Sequence, residues 1–334
     1  MKEALARLGG IELAEVNEDA WKPKVRGTFL RGVNRLLGPA YQREMLSQFN
    51  QQIDQFRPAV LMTYKGHSLG GDVIKEVKAR GIATVNLFPD YSPHAYGADH
   101  KRALGEYDLV ISTKPFHPRL WKALYGYDNP CEFVPQGYDP VLHLDAREPA
   151  EYRCDLGLVA TWRLEYGVLM EQLAKCLGNS KISVEISGHG WKEHRMGYPS
   201  HWSFPGPITG RGYIDWLRGA RICLSPVMRH VVIDGQVQPG DEDTTRTYEL
   251  AAGKCFVLHR RTDYVQTIYD ENGEVPMYDS PQELAALIAR FLPDEQERRR
   301  FANAAHRRAV PAYSLDARAA ETIELIKEKL GVRS

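Results

Sequence analysis

Cysteine is scarce. Cys131, Cys154, Cys176, Cys223 and Cys255 are the only five in 334 residues, and no two form a C-x-x-C pair. An odd, scattered set excludes a disulfide framework or a cysteine zinc site and fits reduced thiols. An excess of either charge is also missing: Lys+Arg and Asp+Glu both number 43, so the formal net charge is zero. A binder of phosphate backbones needs a basic field, so no nucleic acid is expected as a partner. No stretch approaches the roughly 18 apolar residues of a transmembrane helix. The strongly apolar runs, such as 255–258, have the length of buried strands. Glu3, Arg7 and Glu12 interrupt any apolar leader core, so no signal peptide is expected. The 11 histidines contain no H-x-x-x-H or H-E-x-x-H pair, which leaves a dedicated metal site without support. These absences predict a soluble, cytoplasmic chain with no metal and no cofactor.

What is present is a regular alternation. At roughly 100–200 residues per domain, the length predicts two domains. In the first part, an amphipathic helix over 36–56 precedes strand-like AVLMTY, helical DVIKEVKARG closed by Gly81, then IATVNLF and YDLVIST, a helix opening at Pro115, and EFVPQGY. The stretch 139–153 is polar and contains proline, and reads as a linker. The alternation then restarts with CDLGLVA, a helix over 164–177, KISVEISG, helical GYIDWLRGA, RICLSPV, helical TTRTYELAAG and CFVLHR. Short EVPMY and three helices, over 283–292, 294–308 and 315–330, end the chain. This order predicts an α/β fold of two Rossmann-like parallel-sheet domains, 1–140 and 154–312, joined by a linker over 141–153 and facing across a cleft.

The most conspicuous motif is Gly66-His67-Ser68-Leu69-Gly70, a G-x-S-x-G sequence between a strand and a helix. It suggests a serine hydrolase with Ser68 as nucleophile. Topology argues against that: at most one strand, 11–16, precedes the motif's own strand, and no H-G-G-G segment supplies an oxyanion hole. The alternative is a glycine turn that lets a loop approach a ligand or another segment. Asp241-Glu242-Asp243 presents a similar choice between a D-x-D metal site and acidic residues placed at a helix start by the dipole, and the second is favoured.

The segment DEDTTRTYELAAGKCFVL carries the most information. Thr244 or Thr245 can cap a helix whose free N–H groups attract phosphate. Arg246 stands in the first turn, where the dipole disfavours a cation, which suggests an anionic ligand. Glu249 follows at i+3 on the same face, and a surface Arg246–Glu249 pair is the competing reading.

At this segment the sequence resembles the GT-B glycosyltransferases, in particular their CgeB-like, group-1-type branch, in which an R-x-[FY]-E helix, a small-residue turn and an apolar strand follow one another. The resemblance extends back through GYIDWLRGARICLSP, EISGHGW and GLVATWR and forward into AHRRAVPAYSLDARA, and so covers about half the chain. FRPAVLMTYKG, NLFPDYSP and EFVPQGYDP resemble the family more loosely. The resemblance implies a nucleotide-diphosphate sugar donor, UDP-sugar by default, held by the second domain. Glu249 would bond the donor ribose. Asp241 stands where retaining relatives carry the first acid of an E-x7-E pair. Thr244, Thr245, Arg246 and Arg163 would hold the diphosphate, with Asp243 beside them, and the Gly188-His189-Gly190 turn would approach the base. Such a site transfers sugar with retention and without metal, because a helix N-terminus and arginines neutralise the leaving diphosphate.

In the first domain, Asp90 and His94 lie in the proline-bounded loop FPDYSPH, as residues that orient the acceptor or as a turn cap and a surface histidine. Lys65, His67 and Ser68 sit at the neighbouring strand end as acceptor-side candidates. The acceptor itself is not specified. A non-catalytic nucleotide-sugar or carbohydrate binder is the remaining alternative. The resemblance also implies that the helix over 315–330 crosses back and packs on the first domain, making a two-strand hinge that closes the cleft.

Overall fold

The computed structural model describes residues 1–17, 20, 28–93, 98–144, 149, 151–210, 212–233 and 235–332. The chain divides into two compact units, Lys2–Val134 with Ala320–Ser334, and Pro135–Ala319. Among the described residues no helix is long and apolar enough to cross a membrane.

The first unit runs α1 (Lys2–Leu8), α2 (Thr28–Phe56), β1 (Val60–Tyr64), α3 (Gly71–Ala79), β2 (Ala83–Phe88), α4 (Ala98–Leu104), β3 (Leu109–Ser112), α5 (His117–Tyr125) and β4 (Cys131–Phe133). Its four strands are parallel and ordered as in the chain, β1-β2-β3-β4. ATVNLF and LVIS are buried almost throughout, as expected of parallel strands covered on both faces. Met45, Phe49 and Ile53 of α2 recur at helical spacing and enter the same core as Ile74, Val77 and Trp121. Two expectations change. The helix expected from residue 36 starts at Thr28 and runs through Pro39. Residues 11–17 form no strand, so β1 is the first strand of its sheet.

The second unit runs α6 (Pro140–His143), β5 (Cys154–Val159), α7 (Leu164–Leu177), β6 (Val184–Ser187), α8 (Gly212–Arg218), β7 (Ala220–Ser225), β8 (His230–Ile233), β9 (Gln236–Pro239), α9 (Thr245–Ala252), β10 (Val257–Arg260), α10 (Asp263–Ile268), β11 (Met277–Tyr278), α11 (Pro281–Phe291), α12 (Glu295–Ala312) and α13 (Leu315–Leu330), whose last residues from Ala320 group with the first unit. Five strands form one parallel sheet in the order β11-β10-β7-β5-β6. The chain therefore starts in the middle, at β5, goes one way to β6, then returns past β5 to β7 and outward. That reversal between β5 and β7 is a topological switch point, where the strand-end loops part and open a crevice.

The start of the 139–153 stretch is helical. Asp139 Oδ1 accepts the Val141 N–H at 2.9 Å and Pro140 occupies the first helical position, so 140–143 is a capped helical turn and not loose chain. The two chain segments at the edge of this unit pair with each other: Tyr138 N–H donates to Tyr313 O at 3.1 Å, and Leu315 N–H to Tyr138 O at 2.8 Å. Within the first unit, Lys329 lies 2.6 Å from Glu132.

Candidate active site

The candidate site is assembled at the β5/β7 reversal. Thr244 caps α9 with extended backbone angles (φ −141°, ψ 172°). Its N–H donates to Thr247 Oγ1 at 3.1 Å, and Thr247 Oγ1 lies 2.8 Å from His259 Nε2. On the other side of that ring, Nδ1 is 2.7 Å from Arg260 O, an acceptor only. Nδ1 therefore carries the proton, Nε2 accepts from the Thr247 hydroxyl, and the N-cap is held by a fixed tautomer. One expectation is corrected here: the Thr244 amide is used inside the protein and is not offered to a ligand. The amides that lack intrahelical acceptors are those of Thr245 and Arg246. Thr244 Oγ1 is buried and turned towards the Thr247 N–H in a capping box.

Arg246 does not pair with Glu249. Its guanidinium crosses the switch point, donating from Nη1 to Val159 O at the end of β5 (3.2 Å) and from Nη2 to Pro226 O just past β7 (2.8 Å). The Tyr166 hydroxyl is 3.5 Å from Nη2. These acceptors offset the unfavourable helix dipole, so a cation in this first turn needs no ligand to explain it. Nε is the part left over, buried and unpartnered.

Glu249 points elsewhere and is largely buried, with 17% of its side chain exposed, unlike the acid of a surface Arg246–Glu249 pair. Oε1 lies 3.8 Å from His143 Nε2. His143 Nδ1 lies 3.0 Å from the Asp139 N and 2.9 Å from the Asp139 O, which fixes the ring with its Nε2 edge towards the carboxylate. Burial raises the Glu249 pKa, opposed by His143 and by hydrogen bonds from Tyr213 and Thr245.

The acidic triplet separates into three roles. Asp243 is fully buried and accepts the Tyr248 hydroxyl at 2.6 Å; this corrects its placement among donor ligands. Glu242 Oε2 accepts the Tyr264 N–H at 3.1 Å and so caps α10, while its carbonyl holds Thr262. Asp241 is half-buried, with its N–H on Met228 O at 2.6 Å. Among the described residues no group of three or more His, Cys, Asp or Glu is placed to hold a metal.

The 188–190 turn closes on the end of β5. A Cβ at Gly188 would stand 1.9 Å from Ala160 O, so only glycine fits, and the reason is the neighbouring loop. Trp162 N–H donates to His189 O at 2.8 Å, and the Trp162 ring stacks face to face on His194 at 3.6 Å. His189 is exposed. Arg163, exposed ahead of α7, is a cation available to solvent.

Residues 168–324 match the glycosyl transferase-like family. Among solved structures, sucrose-phosphate synthase of Thermosynechococcus elongatus superposes with a TM-score of 0.62 at 14% identity, covering 87% of this chain and 79% of that one. HepE of Anabaena, solved with UDP, gives 0.62 at 13% identity over 85% and 82%. HepE with UDP-glucose gives 0.58 at 12% identity over 79% and 80%. The chain has the GT-B fold of these structures, and just under half of it, residues 168–324, matches a glycosyl transferase-like family. No curated protein matches the sequence.

The first unit offers a second set of residues at the ends of β1 and β2. Lys65 has a left-handed backbone (φ 64°), held by Lys65 N–H on Leu87 O and by Asn86 Nδ2 on Lys65 O, both at 3.0 Å. Lys65 Nζ lies 3.0 Å from Asp90 Oδ2. His67 stands against His100 with ring centroids 4.8 Å apart. His94 lies outside the described residues. The hydrolase reading fails on geometry: the strained residues are Lys65 and Gly66, whereas Ser68 has no positive φ, and its turn follows an edge strand.

His143, Tyr213, Tyr166, Trp162 and His259 did not emerge from the sequence. His143 had a signal, the Asp139-Pro140 helix start. His259 had none, being one more residue of an apolar strand.

Two buried imidazoles give the enzyme an acid limit. Burial pushes His259 down to about 4 and His117, between Ser112 and Tyr91 O in the first unit, down to about 3. Both folded values lie below the unfolded one. Their stabilisation is therefore complete above pH 6.5 and lost as pH falls towards 4 and 3. Urea unfolding at pH 5 should show His259 alone costing about 2 kcal/mol relative to pH 7. His259→Gln should flatten that part of the pH dependence; an unchanged slope would remove His259 as its source.

Proposed function

We propose that the second unit binds a UDP-sugar with its diphosphate at the β5/β7 switch point, and that the enzyme transfers the sugar to an acceptor hydroxyl with retention and without a metal ion. The observation that carries this reading is the convergence there of donors the fold leaves unused. These are the Thr245 and Arg246 amides, which have no intrahelical acceptor, and the buried, unpartnered Arg246 Nε. The positive end of α9 and the nearby cation Arg163 suit two phosphates whose charge grows as the sugar departs. The family match and the UDP and UDP-glucose complexes of HepE support the same donor class.

In this scheme Glu249, held by Tyr213 and Thr245, accepts from the ribose hydroxyls. Asp241 faces the sugar hydroxyls, and the 188–190 turn with the Trp162–His194 stack borders the base. The bond from the anomeric carbon to the β-phosphate oxygen breaks, and a bond to the acceptor oxygen forms on the same face. The acceptor proton passes to the departing phosphate oxygen, so no protein nucleophile is required. Lys65, Asp90, His67, Ser68 and His94 of the first unit are the acceptor-side residues in this reading, with Lys65 and Asp90 fixed as an ion pair.

Incubation with a panel of nucleotide sugars tests the scheme. UDP release from a UDP-sugar should survive excess EDTA, and the glycoside formed should keep the donor's anomeric configuration. A strict requirement for manganese or magnesium would return Asp241 to the role of metal ligand, and an inverted product would remove the same-face mechanism.

A further inference from the structure

At the end of β1 an aromatic ring and an ion pair stand side by side. Tyr64, the last residue of the strand, is 61% exposed, while Thr63 before it is buried. Lys65 follows, with Nζ 3.0 Å from Asp90 Oδ2, and this pair is also partly open, at 31% and 24% side-chain exposure. Loss of water around the Tyr64 hydroxyl raises its pKa, and the charges of Lys65, Asp90 and Lys114 act on it next, so the ring and the ion pair share one surface. A single exposed tyrosine is ordinary. An aromatic ring beside a few fixed polar groups is the composition of a binding site.

The pair is held from beneath. Lys65 N–H donates to Leu87 O, and Asn86 Nδ2 to Lys65 O, both at 3.0 Å. The chain around Asp90 is fixed on each side. Thr113 Oγ1 donates to Pro89 O at 3.0 Å and the Tyr125 hydroxyl to Tyr91 O at 3.1 Å, with His117 Nε2 3.1 Å from the same oxygen. A partly exposed ion pair contributes little to stability. Such anchoring has a better account in binding, where groups fixed beforehand lose less entropy. The pair also presents both hydrogen-bonding roles within 3.0 Å: the ammonium donates only and the carboxylate accepts only, which matches neighbouring hydroxyls that do both. The negative face of an aromatic ring attracts the C–H groups on the flat side of a sugar.

We propose that this surface binds a saccharide, with a pyranose ring laid on Tyr64 and its hydroxyls on Lys65 Nζ and the Asp90 carboxylate. Resting on the transfer reading above, that saccharide is the acceptor.

The test uses the full chain without donor and, as probes, maltose, cellobiose, lactose, N,N′-diacetylchitobiose and octyl glucoside. Saturation-transfer NMR should show magnetisation passing from the protein to the ring C–H protons of at least one disaccharide. Tyr64→Phe keeps the ring and should bind that sugar as the wild type does. Tyr64→Ala, at an exposed position that leaves the thermal midpoint in place, should bind it about tenfold more weakly. Asp90→Asn should bind it about fivefold more weakly. Transfer to none of the disaccharides, or transfer undiminished in Tyr64→Ala, would overturn the proposal. So would transfer to the alkyl chain of octyl glucoside in preference to its sugar ring, the mark of an apolar ligand. Titration of the same wild-type sample with UDP reports on the donor separately. Sugar binding without UDP binding would leave this site standing and remove the transfer reading, and UDP binding without sugar binding would do the reverse.

Discussion

Arg246→Lys is expected to weaken UDP binding by about two orders of magnitude while leaving the enzyme folded. Arg246 ties Val159 O to Pro226 O across the switch point and leaves Nε buried without a partner. Lysine retains the charge but has a single nitrogen at its tip, so it can reach one carbonyl or the phosphate and not hold all three. A hydrogen bond to a charged partner is worth about 1.5–3 kcal/mol, or roughly 10- to 150-fold in affinity. The two carbonyls left short of a donor also lower stability, by about 1–3 kcal/mol. Calorimetric titration with UDP and urea unfolding of the same variant check the two effects separately. Undiminished UDP affinity with reduced stability would make Arg246 a strand-end tie and nothing more.

Glu249→Gln is expected to move stability and binding in opposite directions. The carboxylate is buried and its pKa is raised, with burial the largest cause. A carboxyl whose folded pKa lies above its unfolded value favours the fold while protonated, and that advantage is lost as pH rises through the folded pKa. At neutral pH the ionised form is therefore a cost, which glutamine removes while still reaching the Tyr213 and Thr245 hydroxyls. The variant should melt higher than the wild type at pH 7 and bind UDP about 10- to 100-fold more weakly, because a neutral amide is a poorer acceptor for ribose hydroxyls. Alanine is the less informative change, since it would leave His143 and Tyr213 facing a void. A Glu249→Gln protein with wild-type UDP affinity would remove the ribose contact from the scheme.

The fold was legible where the chain's own periodicity decides the structure. α7 spans Leu164–Leu177, the 14 residues that the apolar spacing marks, and ATVNLF, CDLGLV and VLHR are strands because short β-branched and apolar runs between helices have no other place to bury. The β8–β9 hairpin was missed although its signal is present: VVIDGQVQ puts Asp-Gly between two alternating runs. The site was less legible, for a physical reason. The sequence places Thr244, Arg246 and Glu249 on one short helix, but their states depend on what folds against them. Arg246 is satisfied by carbonyls from two distant strand ends, and Glu249 is buried by His143 and Tyr213 from α6 and α8. The acidic triplet shows the same limit. Asp241, Glu242 and Asp243 look alike in sequence, yet one is half-buried, one caps α10 and one lies fully buried under Tyr248.

A crystal structure of the chain with UDP tests the central claim most directly. The diphosphate oxygens should lie within about 3.2 Å of the Thr245 and Arg246 amides and of Arg246 Nε, with the ribose hydroxyls on Glu249. UDP bound away from the β5/β7 switch point, or with its phosphates out of reach of the α9 N-terminus, would contradict the account.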